Sequence, residues 1–228
     1  MHDLKPRGQI ASGKAVGLTI GIWISAIVLG AAVVTVSSCN RVSHDSGVYP
    51  VTYHGTSLPN VTLTNQYGQA VALASLKGNA LLFDFVYTSC PGPCQLLTQH
   101  MKLVADKIGP KLGKKVWFIS VTVDPEHDHA KRLFDYAKAF NANVKGWYFL
   151  TGSPAEIDEL MRAFRLGRSR SSDGEINHVL GYFLVDFGGN EIFDYSQRAD
   201  PSKIARDAED AANSRTLISW LSANLRLL

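Results

Sequence analysis

Residues 80–108 read ALLFDFVYTSCPGPCQLLTQHMKLVADKI. The first eight are apolar except for Asp84, which suits a strand covered on both faces. From residue 95 onward Leu96, Leu97, Met101, Val104 and Ile108 recur at helical spacing, and the Gly, Pro and charge of residues 109–115 end the helix. Cys90 and Cys94 lie between strand and helix. Their spacing is about one helical turn, so both sulfurs can face the same side at the helix amino end. There the unsatisfied N–H groups and the helix dipole favour thiolate over thiol. Pro91 and Pro93 occupy the first turn, where a missing N–H costs little and a fixed φ stiffens the loop. Two soft anionic donors at fixed spacing suit a soft metal such as Cu(I), and the same pair can close a disulfide. A stapling disulfide or two inert buried thiols is the plainer alternative, although so short a loop gains little chain-entropy stabilisation. Zinc fits less well, because structural zinc sites take four ligands and only these two cysteines follow Cys39.

Working outward, Val61 and Leu63 then Val71 and Leu73 flank the turn residues 65–68 and predict a hairpin. VWFISVTVD at 116–124 predicts a second buried strand, and 128–140 and 153–164 predict amphipathic helices. The second of these opens SPAE, with Ser153 as N-cap, Pro154 at the first helical position and Glu156 completing a capping box. Strands are expected at 179–186 and 191–195 around Gly188, Gly189 and Asn190, and helices at 200–212 and 216–227. This order gives an α/β domain over 56–228, a mixed sheet covered by helices on both faces, and matches the thioredoxin-like arrangement.

Seven histidines compete to complete a site with the cysteines. His2, His44 and His54 fall in the tail or linker, and His100, six residues past Cys94, points away from that face of the helix. His127 and His129 in DPEHDH read as a solvated loop, with a weak surface metal site as the other reading. His178 stands at the entrance to a predicted strand, after a polar loop over 167–177. In a thioredoxin-like sheet that loop passes beside the cysteines, so His178 can add an imidazole nitrogen. Two thiolates and one imidazole make a trigonal Cu(I) site, or hold Cu(II) with an added oxygen ligand. A capping or satisfied loop histidine is the alternative.

Residues 15–38 contain no charge, and the apolar run exceeds the roughly 20 residues that span a bilayer. Lys5, Arg7 and Lys14 precede it, so residues 1–14 are expected in the cytoplasm, and 15–38 are read as a transmembrane anchor or signal segment. Residues 39–55 would be a linker, with the following domain in the periplasm of a bacterial inner-membrane protein. Val36, Ser37, Ser38 and Cys39 also resemble a loose lipoprotein box, which gives lipidation at Cys39 as the alternative tether. Beyond residue 44 the chain holds 19 basic and 19 acidic residues, a balance that argues against a nucleic-acid partner.

Taken together, CPGPC at 90–94, ISVTVDPEHD, FLTGSPAEIDELMRAF and NHVLGYFLVDFGGNEI resemble the Sco/SenC family of membrane-tethered, copper-binding, thioredoxin-like proteins over roughly 59–225. The resemblance maps the family's copper ligands onto Cys90, Cys94 and His178. It implies a metallochaperone for Cu(I) or Cu(II) that helps assemble the binuclear copper centre of cytochrome c oxidase. Its partners would be a copper-accepting oxidase subunit or another copper chaperone. A thiol-disulfide oxidoreductase that keeps the recipient's cysteines reduced, using Cys90 and Cys94 as its redox pair, is the alternative function. Asn177 and Val179 flank the histidine where the family often has Asp and Ser, removing a carboxylate that would orient the ring. Gln95 stands where Pro often follows the second cysteine.

Overall fold

ALLFDFV is buried at every position and forms a central strand. The computed structural model describes residues 48–50 and 57–213. The apolar span over 15–38, Cys39, the three amino-terminal histidines and the helix expected over 216–227 lie outside the described residues. The strands in chain order are β1 Val48–Pro50, β2 Thr62–Asn65, β3 Ala70–Ala72, β4 Ala80–Val86 and β5 Val116–Thr122. They continue with β6 Trp147–Thr151, β7 Ser169–Arg170, β8 Ile176–Asn177, β9 Gly181–Val185 and β10 Glu191–Ser196. The helices are α1 Pro93–Ile108, α2 Ala130–Ala139, α3 Pro154–Ala163 and α4 Pro201–Asn213.

Among the described residues, eight strands make one mixed sheet in the order β1-β10-β9-β4-β5-β6-β2-β3, and β7 and β8 pair separately. Strands β4, β5 and β6 run parallel and are joined by α1 and α2, while β9 runs antiparallel to β4. This is the expected thioredoxin-like arrangement with two additions. WYFLT at β6 had no strand assigned from sequence, although its aromatic and β-branched content suits one. Val48–Pro50, inside the stretch read as linker, pairs with β10 at the sheet margin.

Side chains alternate between the two faces, as a pleated strand requires. Asp84 pairs in register with Ser120 and Tyr182, and Tyr182 Oη donates to the Leu97 carbonyl of α1 at 3.1 Å. Tyr136 of α2 packs on Phe149 of this same face. On the opposite face Phe83, Phe85 and Phe183 surround Phe164 at the end of α3. Helices therefore cover both sides. The capping box at Ser153 forms as expected, with the Glu156 N–H donating to Ser153 Oγ and Ser153 N–H to Glu156 Oε2. Gly146 adopts φ +90°, and a Cβ there would stand 2.2 Å from the backbone nitrogen of Gly113, so two loops cross where only glycine fits.

Candidate metal centre

The strand β4 ends at Val86, and four residues later Cys90 begins the turn into α1. The helix starts at Pro93, two residues before the expected boundary, with Gly92 as its N-cap at φ 153°. The Gly92 carbonyl accepts from the N–H groups of Gln95 and Leu96 and closes the first turn. Both sulfurs consequently lie at the helix amino end, as free thiols. The Cys94 N–H donates to Cys90 Sγ at 3.3 Å.

His178 follows the short β7–β8 ribbon, which replaces the irregular loop expected over 167–177. Arg168 Nη1 donates to the Val123 carbonyl, and Arg170 Nη2 binds Asp124 Oδ1 at 2.7 Å, so the ribbon is tied to the segment after β5. The result brings His178 Nε2 to 3.7 Å from Cys94 Sγ. His178 Nδ1 lies 3.0 Å from the Val179 carbonyl, which can only accept. That contact puts the proton on Nδ1 and leaves the Nε2 lone pair aimed at the sulfur. A backbone carbonyl thus orients the ring where a neighbouring carboxylate is absent from the sequence. Burial lowers the His178 pKa, which favours the neutral, ligating imidazole. Tyr87 stands edge-on to the ring at 6.0 Å.

Burial pushes the Cys94 thiol well up, with Cys90 and the Asp84 charge adding to the rise. This corrects the expectation from the helix dipole: for Cys94 the loss of water outweighs the favourable helix end. Cys90 instead lines a cleft of about 160 Å³ with Tyr87, Pro91, Pro93, His178 and Leu180. Beneath the site Asp84 is fully buried, and neither of its carboxylate oxygens has a hydrogen-bond partner among the described residues. Burial raises its pKa to about 7.

Among the described residues, His100 and His127 have partners away from this cluster. His100 stacks on Tyr182, and His127 lies on Asp124 at 2.9 Å. Asp124, Glu126 and His127 have their donor atoms within 4.8 Å of one another, but Arg170 already sits on both carboxylates. DPEHDH is also less solvated than expected, because Asp124 is 2% exposed and Asp128 fully buried. Asp128 accepts from the Thr88 N–H at 3.0 Å, the Thr88 hydroxyl at 2.5 Å and the Thr122 hydroxyl at 2.6 Å. Sequence reasoning missed this residue. An Asp flanked by histidines reads as surface, and only the pairing of β4 with β5 brings Thr88 beside it.

Two thiols and an imidazole converge at the mouth of a helix-covered mixed sheet of thioredoxin-like form, a candidate donor set for a soft metal or for dithiol redox chemistry. The SCO1/SenC family model matches residues 55–213, and the chain belongs to that family. It is 34% identical over 143 residues to the SCO1 protein homolog of Bacillus subtilis, covering 59% of this chain and 71% of the relative. Among solved structures, Bradyrhizobium japonicum ScoI with copper bound superposes with a TM-score of 0.57 at 30% identity, covering 65% of this chain and 94% of that one. BsSco, a member of the Sco family of cytochrome c oxidase assembly proteins, superposes at 0.63 with 30% identity, covering 73% and 99%. A SCO1/SenC family lipoprotein of Bacillus anthracis gives 0.64 at 28% identity, covering 72% and 98%.

Proposed function

We propose that this protein is a membrane-tethered copper chaperone that holds its cargo through Cys90, Cys94 and His178 and helps assemble the binuclear copper centre of cytochrome c oxidase. The observation that carries the reading is the approach of His178 Nε2 to Cys94 Sγ across 84 residues of sequence, with the ring's other nitrogen occupied. Sulfur and imidazole donors suit Cu(I), or Cu(II) with a further oxygen ligand. The copper-bound relative supports the assignment. Copper loading displaces the thiol protons, including the one that burial holds on Cys94. The recipient would be a copper-accepting oxidase subunit or another copper chaperone. The domain over 56–228 is held in the periplasm by the span 15–38 or by a lipid on Cys39, a tether supported by the lipoprotein relative.

The test is copper titration of the full chain in detergent, wild type against Cys90→Ala, Cys94→Ala and His178→Ala. About one copper per chain is expected, lost with either cysteine and weakened with the histidine. Unchanged binding in both cysteine variants would refute the reading.

A second reading is favoured by the asymmetry of the sulfurs, since Cys90 lines the cleft and Cys94 is fully shielded. In thiol exchange the Cys90 thiolate attacks a partner disulfide and forms a mixed disulfide, releasing one partner thiolate. The Cys94 thiolate then attacks Cys90 and releases the second. The partner gains two electrons and the Cys90–Cys94 pair loses them. Reduction of a partner disulfide by the His178→Ala protein distinguishes the two, because the imidazole serves copper and not exchange.

A further inference from the structure

We infer that Asp128 is a positioning residue for the cysteine loop: it sets where Cys90 stands relative to Cys94 and His178. The inference rests on the copper reading for its first readout but not for its second.

Asp128 lies two residues before α2 and is fully buried. Three donors converge on its two oxygens, and two of them belong to Thr88, the second residue before Cys90. Oδ1 takes the Thr88 hydroxyl, while Oδ2 takes both the Thr88 N–H and the Thr122 hydroxyl at the end of β5. Thr88 Oγ1 in turn accepts from Arg132 Nε at 2.8 Å. The backbone N–H of Asp128 donates to the Asp124 carbonyl at 2.8 Å, so the carboxylate is held from its own side as well. A charged group satisfied by three donors is a stiff joint, because freeing any donor leaves part of a buried charge unpaired.

The joint's placement gives it its role. β4 ends at Val86, and the next fixed points are the Cys90 N–H on the Tyr87 carbonyl at 3.3 Å and the closing of α1. Between the strand and the first sulfur, Thr88 has both its amide and its hydroxyl bound to Asp128. A soft-metal site tolerates little error in donor placement, and supporting residues behind the ligands typically change metal affinity 10- to 100-fold.

The test compares Asp128→Asn with Thr122→Val in the full chain in detergent. The amide oxygen can still accept from the Thr88 N–H, while the amide NH2 faces the Thr88 hydroxyl and can only donate to it, so a charge-assisted bond is exchanged for a weaker, reversed one and the loop loosens. Thr122→Val removes a donor from the same carboxylate and leaves both Thr88 bonds in place, so it reports the purely structural cost. Asp128→Asn is expected to lower copper affinity about tenfold or more and to shift the sulfur-to-copper absorption band. Thr122→Val is expected to lower Tm while leaving both near wild type. The second readout, the alkylation rate of Cys90 by iodoacetamide without metal, should change in Asp128→Asn alone. It stands even if wild type takes no copper, an outcome that would defeat the copper reading and not this one. Should Asp128→Asn fail to accumulate folded, Thr88→Val carries the same comparison, and Thr88→Ser, which keeps both donors, should restore wild-type values. Equal effects of Asp128→Asn and Thr122→Val, or an Asp128→Asn protein altered in Tm alone, would overturn the inference.

Discussion

Replacing Asp84 with Asn should stabilise the protein at pH 8 and leave it almost unchanged near pH 4. The carboxyl is fully buried without a hydrogen-bond partner among the described residues, and burial raises its pKa from an ordinary value near 3.8 to about 7. Between those values the folded chain holds a proton that the unfolded chain releases. The native state is therefore favoured most below pH 4 and loses that advantage progressively up to pH 7. Each pH unit is worth about 1.4 kcal/mol, so the loss approaches about 4 kcal/mol and levels off above pH 7. Asn keeps the shape and cannot ionise. Its advantage over wild type should grow from near zero to about that figure, a Tm difference on the order of 10 °C at pH 8. Thermal unfolding of both full chains in detergent from pH 4 to 8 measures it. Glu191 is also raised, to about 8, by burial and its neighbour Asp194, so the difference between the two proteins isolates Asp84. A constant difference across that range would refute the reasoning.

Three further substitutions separate local from global contributions to stability. Gly146→Ala drives a methyl into the backbone of Gly113 at a positive φ and should cost about 2 kcal/mol or more, read as a lower urea midpoint. Ser153→Ala removes the capping box of α3 and should cost about 1 kcal/mol in the same assay. Phe164→Ala empties the space between Phe83, Phe85 and Phe183 and should cost about 3–5 kcal/mol, leaving dithiol reactivity at Cys90 in place because that cluster lies on the opposite face from Cys94.

What could be read from sequence was what depends on neighbours along the chain. The strand before Cys90, the helix after Cys94 and the capping box at Ser153 follow from periodicity and local chemistry, and each formed within a few residues of expectation. His178 was reached only through the topology that such elements imply. The features that escaped depend on burial or on distant pairs. The Thr88–Asp128 bonds join residues 40 apart, and nothing in DPEHDH marks one acid as interior. The upward shift of the Cys94 thiol reflects how completely α1 and its surroundings exclude water, which a spacing rule does not contain. The orienting group for His178 is a main-chain carbonyl, and any residue at position 179 would provide it.

Both margins of the main sheet, β1 and β3, are only three residues long, and β1 ends at Pro50, which has no backbone N–H to offer. Such stubs make poor templates for a foreign strand. Truncated borders of this kind disfavour the edge-to-edge growth that builds fibrils.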